Sequence, residues 1–250
     1  MAAKERQKQI LEILEKQGYV TVNYLTEVLE YSTATINRDL NTLQERQLVT
    51  RSHGGVELNT PKYIPVLFRT HKMQREKRLI GKTAASFVED GDTIFIDGST
   101  TAQCMEQYLL ERKDITVITN NMSLCANLST GGVNAICLGG AVKEPPSMLY
   151  SDETIENAAR YRVNKMFFST DAISSSGLIA SGIYYDLLFK TVANNAEKVF
   201  YLFDHNKLDR PFNVVLWDLD RVDCVISDLE LPKETREKFP NTRYIVTPAE

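Results

Sequence analysis

Apolar residues recur at helical spacing three times in the first fifty positions, and from residue 93 onward the pattern switches to short β-rich runs separated by helical stretches. In residues 7–17, Ile10, Leu11 and Leu14 share one face, and Gly18 follows as a helix-stopping C-terminal cap. Residues 22–31 repeat the pattern with Leu25, Val28 and Leu29. In the third segment Ile36, Leu40 and Leu43 face inward, while Ala34, Arg38, Asn41 and Glu45 face outward. Ser32 or Thr33 stands where a helix N-terminus needs a side-chain acceptor, and that terminus favours a nearby phosphate. Leu48 to Arg51 and Val56 to Leu58 then flank Ser52-His53-Gly54-Gly55, a turn whose glycines can take positive φ.

Three short helices and a hairpin predict a winged helix-turn-helix over residues 1–58, its third helix entering a DNA major groove. Thr33, Ala34, Thr35, Asn37, Arg38 and Asn41 on that helix, with Arg51 and His53 on the wing, are the candidate DNA contacts. Asn37 can pair bidentately with adenine. A helical bundle that only packs against a partner has no need of a wing carrying Arg51 and His53. Charge adds a constraint. The first 58 residues hold seven Lys/Arg against eight Asp/Glu, and the whole chain carries −4, so phosphate attraction must come from placement. Modest affinity per module implies a dimer on paired half-sites.

From residue 93, runs at 93–97, 115–119, 133–138, 163–169, 199–203 and 224–227 alternate with helical patterns at 102–110, 123–128 and 186–195. This predicts an α/β domain over residues 79–250 with a largely parallel sheet covered on both faces, binding ligands at the carboxyl ends of its strands. The first run ends in Asp97-Gly98-Ser99-Thr100-Thr101 and leads straight into a helix, so hydroxyls, backbone N–H groups and the helix dipole converge as a phosphate requires. Later runs end in Asn120-Asn121, Gly139-Gly140, Asp171 and Asp204-His205-Asn206-Lys207. Small and hydrogen-bonding groups repeated at one sheet edge suit a polyhydroxy ligand with an anionic end. Between the domains, residues 59–78 read as a linker, where Pro61, Pro65 and a charged run ending at Arg78 break any strand pattern. The basic end of that run opens a helix through Ile80, Ala84 and Phe87, with its charges on a solvated face.

A chain of 250 residues with 43% hydrophobic content has room for one small and one larger packed domain. No apolar run approaches the roughly 20 residues that cross a bilayer, and MAAKERQKQ is not a secretory signal, so a cytoplasmic protein is expected. Cys104, Cys125, Cys137 and Cys224 are widely spaced in apolar contexts and are expected as buried free thiols, with neither a metal nor a cofactor.

The segment STATINRDLNTLQERQLVTRSHGG, followed in order by EDGDTIFIDGSTT, TNN, LGG, the stretch around Asp171 and DHNK, resembles the DeoR family of bacterial transcriptional regulators over nearly the whole chain. The resemblance implies a sensor domain similar to sugar-phosphate isomerases that binds a phosphorylated sugar or derivative and thereby alters operator binding. On that reading Asp97, Gly98, Ser99, Thr100 and Thr101 hold the phosphate, and Asn120, Asn121, Gly139, Gly140, Asp171 and Lys207 line the sugar end. It implies a homo-oligomeric repressor of carbohydrate-metabolism genes that is not an enzyme. The alternatives are a sugar-phosphate isomerase-like enzyme, or a DNA-binding protein whose α/β domain only oligomerises. The chain departs from the family pattern at Asn37, where an arginine is common, and at Tyr150, Ser169 and Ala172, where glycine is usual. Asp186 replaces a typical glutamate four residues before Lys190. The added side chains are expected to reshape the pocket.

Overall fold

The computed structural model describes residues 3–17, 19–46, 48–52, 55–58, 73–144, 148–181, 186–212 and 214–247. The chain divides into two compact units, Met1–Arg69 and Thr70–Glu250. The first contains α1 (Ala3–Gln17), β1 (Val20–Thr21), α2 (Val22–Leu29), α3 (Thr33–Glu45), β2 (Val49–Ser52) and β3 (Gly55–Leu58). Thr21 caps α2 by accepting from Tyr24 N, and Glu30, at φ 56°, ends it in the left-handed region. Ser32 caps α3 by accepting from Thr35 N at 3.2 Å. The strands pair antiparallel in the order β1-β3-β2, which is the expected wing; its tip, His53 and Gly54, lies outside the described residues, as does Gly18.

The inward positions of the three helices meet as read: Ile10, Leu14, Leu25, Ile36, Leu40 and Leu43 form one fully buried cluster with Val49 and Val56 of the wing. One charged residue joins them. Asp39 on α3 is 2% exposed, forms an ion pair with Arg6 Nε, and accepts from Gln7 Nε2 at 3.1 Å. The Arg6 guanidinium also lies 4.7 Å from the centre of the Tyr31 ring. A carboxylate this deep is tolerable only because both of its oxygens are met.

The second unit begins with α4 (Gln74–Ala85), which starts inside the stretch read as linker, then β4 (Thr93–Ile96), a 3-10 turn (Ala102–Met105), α5 (Glu106–Leu109) and β5 (Thr116–Thr119). Next come α6 (Met122–Thr130), β6 (Asn134–Cys137), β7 (Val142–Glu144), β8 (Met148–Leu149), α7 (Asp152–Ala158) and β9 (Val163–Phe168). The chain continues through β10 (Ala172–Ile173), β11 (Leu178–Ala180), α8 (Asp186–Asn194), β12 (Ala196–Phe203), β13 (Val215–Asp218), β14 (Cys224–Ser227), α9 (Lys233–Lys238) and β15 (Arg243–Val246). Seven strands form a wholly parallel sheet in the order β15-β14-β12-β9-β4-β5-β6.

Alternation along each strand feeds two cores. Ile94, Ile96, Val117, Phe167, Phe200 and Leu202 join α4, α5 and α6 on one face; Phe95, Ile118, Met166, Phe168, Tyr201 and Phe203 join α8 on the other. Strand order reverses between β4 and β9: the chain runs outward through β5 and β6, then returns to the far side of β4. In such sheets the crevice outside the carboxyl ends at this switch is where ligands bind.

Several features were not expected, among them the pairing of β1 with the wing and the antiparallel pair β7-β8. An antiparallel sheet, β10-β11-β13, covers part of the second core, and β15 adds a final parallel edge strand. The cysteines also need correction, since Cys224 is buried, Cys104 and Cys125 are half-buried and Cys137 is exposed. Strand β6, at the sheet edge, is only partly covered, with Asn134 and Cys137 exposed and Ala135 and Ile136 half-buried. Among the described residues, no helix is long and apolar enough to cross a membrane.

Removing the Asp39 carboxylate leaves Arg6 and Gln7 facing each other without an acceptor. Asp39→Ala is expected to destabilise the first unit by about 3 kcal/mol, with Asp39→Asn milder, as read from urea unfolding followed by circular dichroism. An unchanged midpoint in the alanine variant would remove Asp39 from the account.

Candidate functional site

On α3 the capping hydroxyl of Ser32 fixes the helix start, and Thr33, Ala34, Arg38 and Asn41 are exposed, with Thr35 and Asn37 half-buried. These residues occupy the face opposite Ile36, Leu40 and Leu43. Arg51 does not project freely from the wing. Its Nη1 donates to Asn41 Oδ1 at 2.7 Å and its Nη2 to Asn37 Oδ1 at 2.5 Å, so three expected contacts are tied together. The bidentate pairing of Asn37 with adenine expected above requires the same carbonyl oxygen that Arg51 occupies. His53 lies outside the described residues.

In the second unit the structure gathers the expected residues at the carboxyl ends of β5, β4 and β9, three adjacent strands spanning the switch point. Asp97, 1% exposed, accepts from Ser99 Oγ at 2.6 Å and from Ser99 N at 3.1 Å; Ser99 Oγ in turn accepts from Ala102 N at 3.1 Å, fixing the start of the 3-10 turn. Gly98 lies against the Met148 side chain, where an added Cβ would overlap it. Lys207 is buried and its Nζ donates to the Thr170 carbonyl at the end of β9. Thr170 Oγ1 lies 2.8 Å from Tyr201 Oη, which anchors that strand end from below. Asp171 is half-buried beside it.

Other expected residues bind the scaffold as well. Asn120 Nδ2 donates to the Leu149 carbonyl at 3.0 Å, and Asn121 Oδ1 caps α6 by accepting from Leu124 N at 3.0 Å. Gly139 and Gly140 both have positive φ, and the Gly139 carbonyl accepts from Thr154 Oγ1 at 2.7 Å. Gly140 lies where any Cβ would strike Ser151 and Thr154, so this pair lets the chain close over the N-terminus of α7.

After this accounting, four buried polar atoms at the same strand ends still lack a hydrogen-bond partner among the described residues: Thr101 Oγ1, Asn120 Oδ1, Asn121 Nδ2 and Ser169 Oγ. Isolated groups of this kind cost about 1–3 kcal/mol each, and a cluster of them is the mark of a binding site. Ser169 is one of the departures from the glycine pattern, and it contributes a hydroxyl to this set. Ala172, another, is buried in β10 beneath it, and Tyr150 is half-buried against the core.

Lys77 was missed. It is 4% exposed and its Nζ donates to Thr100 Oγ1 at 3.1 Å, which brings a cation to the Asp97–Thr101 loop. Its spacing from Ile80, Gly81 and Ala84 places it on the inward face of α4, a signal masked by the surrounding charge run. Two clefts of about 370 and 210 Å³, lined by Asn194, Ala196, Arg221 and Asp223 and by Arg162, Asn164 and Glu197, open around the opposite, amino-terminal ends of the strands. They hold none of the residues above. Among the described residues no group of three His, Cys, Asp or Glu could hold a metal.

The DeoR-like helix-turn-helix domain matches residues 6–62, and the DeoR C terminal sensor domain matches residues 72–229. The HTH-type transcriptional repressor GlcR of Bacillus subtilis (strain 168) is 31% identical over 237 residues, covering 94% of this chain and 91% of that protein. The chain belongs to the DeoR family. The glycerol-3-phosphate regulon repressor of Escherichia coli (strain K12) is 28% identical over 239 residues, with 93% of each chain covered. Among solved structures, ribose 5-phosphate isomerase from Plasmodium falciparum aligns over 54% of this chain and 53% of that chain at 17% identity, with a TM-score of 0.41. As a DeoR-family protein the chain is a transcriptional regulator, its first unit binding DNA and its second a small-molecule effector.

The electrostatics of this DeoR-family sensor turn on Asp97. Burial pushes its carboxyl up to about 7, against the Ser99 hydrogen bonds and the Lys207 charge, which favour ionisation. Between the ordinary carboxylate value near 4 and about 7, the folded state therefore holds a proton that the unfolded state has lost. Stability must fall as pH rises through that window. Asp97→Asn removes this contribution, so the melting temperature of the variant is expected to gain on the parent between pH 5 and pH 8. Parallel melting profiles would show that Asp97 does not titrate there.

Proposed function

We propose that this regulator is a repressor of carbohydrate-metabolism genes, acting as a homo-oligomer, whose α3 enters the operator major groove and which is released when a small phosphorylated sugar or polyol binds the second unit. The carrying observation is the set of buried, unpartnered polar atoms at the switch point. Thr101 Oγ1 and Ser169 Oγ can each donate or accept, Asn120 Oδ1 accepts and Asn121 Nδ2 donates. Such a mixed set matches hydroxyl groups, which both donate and accept. Lys77 at the Asp97–Thr101 loop and Lys207 at the Thr170 carbonyl supply the positive charge that an anionic end needs. The relative named for the glycerol-3-phosphate regulon is in keeping with a phosphorylated ligand of this size.

On the DNA side, Thr33, Ala34 and Thr35 stand at the α3 N-terminus, with Asn37 and Asn41 one and two turns further and Arg38 exposed beside them. Arg38 is assigned to a phosphate. A second reading, turnover of a sugar phosphate, has one observation in its favour: Asp97, with a carboxyl that titrates near neutrality, lies within the field of Lys207. Isomerisation of pentose or hexose phosphates that disappears in Lys207→Ala would establish it.

Gel-shift titration against the DNA upstream of the chain's own gene, repeated with a panel of sugar phosphates, tests the main reading. Arg38→Ala is expected to weaken binding to all sequences alike and to lower the slope of log affinity against log salt by about 1. Lys77→Met and the double variant Ser99→Ala, Thr100→Ala are expected to keep DNA binding and lose the effector response. Full response in both would move the phosphate site elsewhere, and an unchanged salt slope in Arg38→Ala would remove Arg38 from the backbone.

A further inference from the structure

We propose that Arg51 acts as a positioning residue that turns the carboxamides of Asn37 and Asn41 so that both present N–H donors to the DNA, making guanine, not adenine, the base this third helix selects at those two positions. The inference rests on the placement of α3 in the groove and adds the base preference. Asn37 and Asn41 are four residues apart, so they stand one above the other on the outward face of α3. Arg51 reaches across from β2 and divides its two terminal nitrogens between them, donating to Asn41 Oδ1 at 2.7 Å and to Asn37 Oδ1 at 2.5 Å.

The orientation of the amides follows from chemistry. A guanidinium carries donors and no acceptor, so only the carbonyl oxygen of each asparagine can face it. Its planar, rigid fork suits holding two acceptors at once. Each Nδ2 is then left on the branch directed away from Arg51, and among the described residues neither makes a hydrogen bond within the protein. What α3 offers the groove at these positions is a pair of N–H donors.

The major-groove edges of the four bases respond differently to that offer. Adenine presents an acceptor and a donor, and its bidentate match to asparagine requires a second, competing bond at the carbonyl that already accepts from Arg51. Cytosine presents a donor and is opposed outright. Guanine presents two acceptors, N7 and O6, and meets donors alone. Asn37 stands where an arginine is common in the family, so a charged side chain on the helix is replaced by a neutral one whose direction is set from the wing. Arg51 thereby commits one donor of each terminal nitrogen to the helix.

Selection of binding sites by the full-length protein from a pool of random duplex DNA tests this. Positions read by each asparagine are assigned by the loss of preference in Asn37→Ala and Asn41→Ala. The parent is expected to favour guanine over adenine there by about fivefold or more. Arg51→Met frees both carbonyls, and the preference at the same positions is expected to move toward adenine. Asn37→Asp keeps the acceptor for Arg51 but removes the donors; guanine preference is expected to vanish at its position and persist at that of Asn41. This variant serves even where Arg51→Met loosens the wing. Three results would overturn the proposal: adenine selected by the parent; an Arg51→Met profile equal to the parent's at uniformly lower affinity, the behaviour of a phosphate contact; or guanine preference lost in Arg51→Met with no gain of adenine, the behaviour of an arginine that reads guanine itself. A parent that selects no sequence would instead refute the placement of α3 in the groove, and the base preference with it.

Discussion

A parallel strand that ends inside a protein brings its last polar groups to a place where water cannot serve them, and they must be met by the next turn, by a neighbouring strand or by a ligand. The second unit is organised by that requirement. Ser99 meets Asp97, Leu149 meets one end of the Asn120 amide, α6 meets one end of Asn121, and Thr154 meets the Gly139 carbonyl. Each bond both finishes a strand and aims what is left. Four of the atoms left over among the described residues, Thr101 Oγ1, Asn120 Oδ1, Asn121 Nδ2 and Ser169 Oγ, follow the carboxyl ends of β4, β5 and β9, beside the reversal of strand order. The scaffold and the candidate site thus share their side chains, so substitution there is expected to alter both.

The same economy governs the winged unit, in charge instead of in hydrogen bonds. Of its basic residues, Arg6 is committed to buried Asp39, Lys8 lies between Glu5 and Glu12, and Arg51 is forked onto two asparagines. Arg38 and Arg46 remain exposed on and just after α3. Lys4 is exposed as well, near the start of α1, so phosphate attraction among the described residues rests on a few separated cations and not on a basic patch. That agrees with the near balance of seven basic and eight acidic residues in the first 58 positions.

Legibility in the sequence followed burial. The helix faces of the first unit and the strands of the parallel sheet could be read because each carries apolar residues at a fixed period over several positions. Strands β10 and β11 could not: they span two and three residues, too short a run to separate from a loop, and β15, although as long as several strands that were read, was missed as well. Residues 102–110 read as one helix but begin as a 3-10 turn, because Ser99 fixes the first bond from outside the segment. The strand-end site was legible as motifs, whereas Ser169 and the unpartnered atoms depend on what neighbours satisfy. Arg51 was read correctly as part of the wing, but its direction is decided by Asn37 and Asn41, fourteen and ten residues earlier.

An effector can move the regulator off DNA only if it binds two arrangements of the chain with different affinity, and the difference has to arise where the ligand touches something that can shift. Helix α4 is suited to be that element. Its first turns follow directly on the segment leading from the winged unit, and Lys77 in that helix donates to Thr100 of the strand-end loop. Further along, Gly81 lies so close to Cys104 that an added Cβ would come within 2.6 Å of its carbonyl carbon, and Arg112 donates to the Ala85 carbonyl at 3.3 Å. A helix seated this closely on the 3-10 turn cannot ignore a change in the loop just before it. Lys77, with three donors, would be able to meet an incoming anion while keeping Thr100, and it stands in the first turn of the helix that follows the segment leading from the DNA-binding unit.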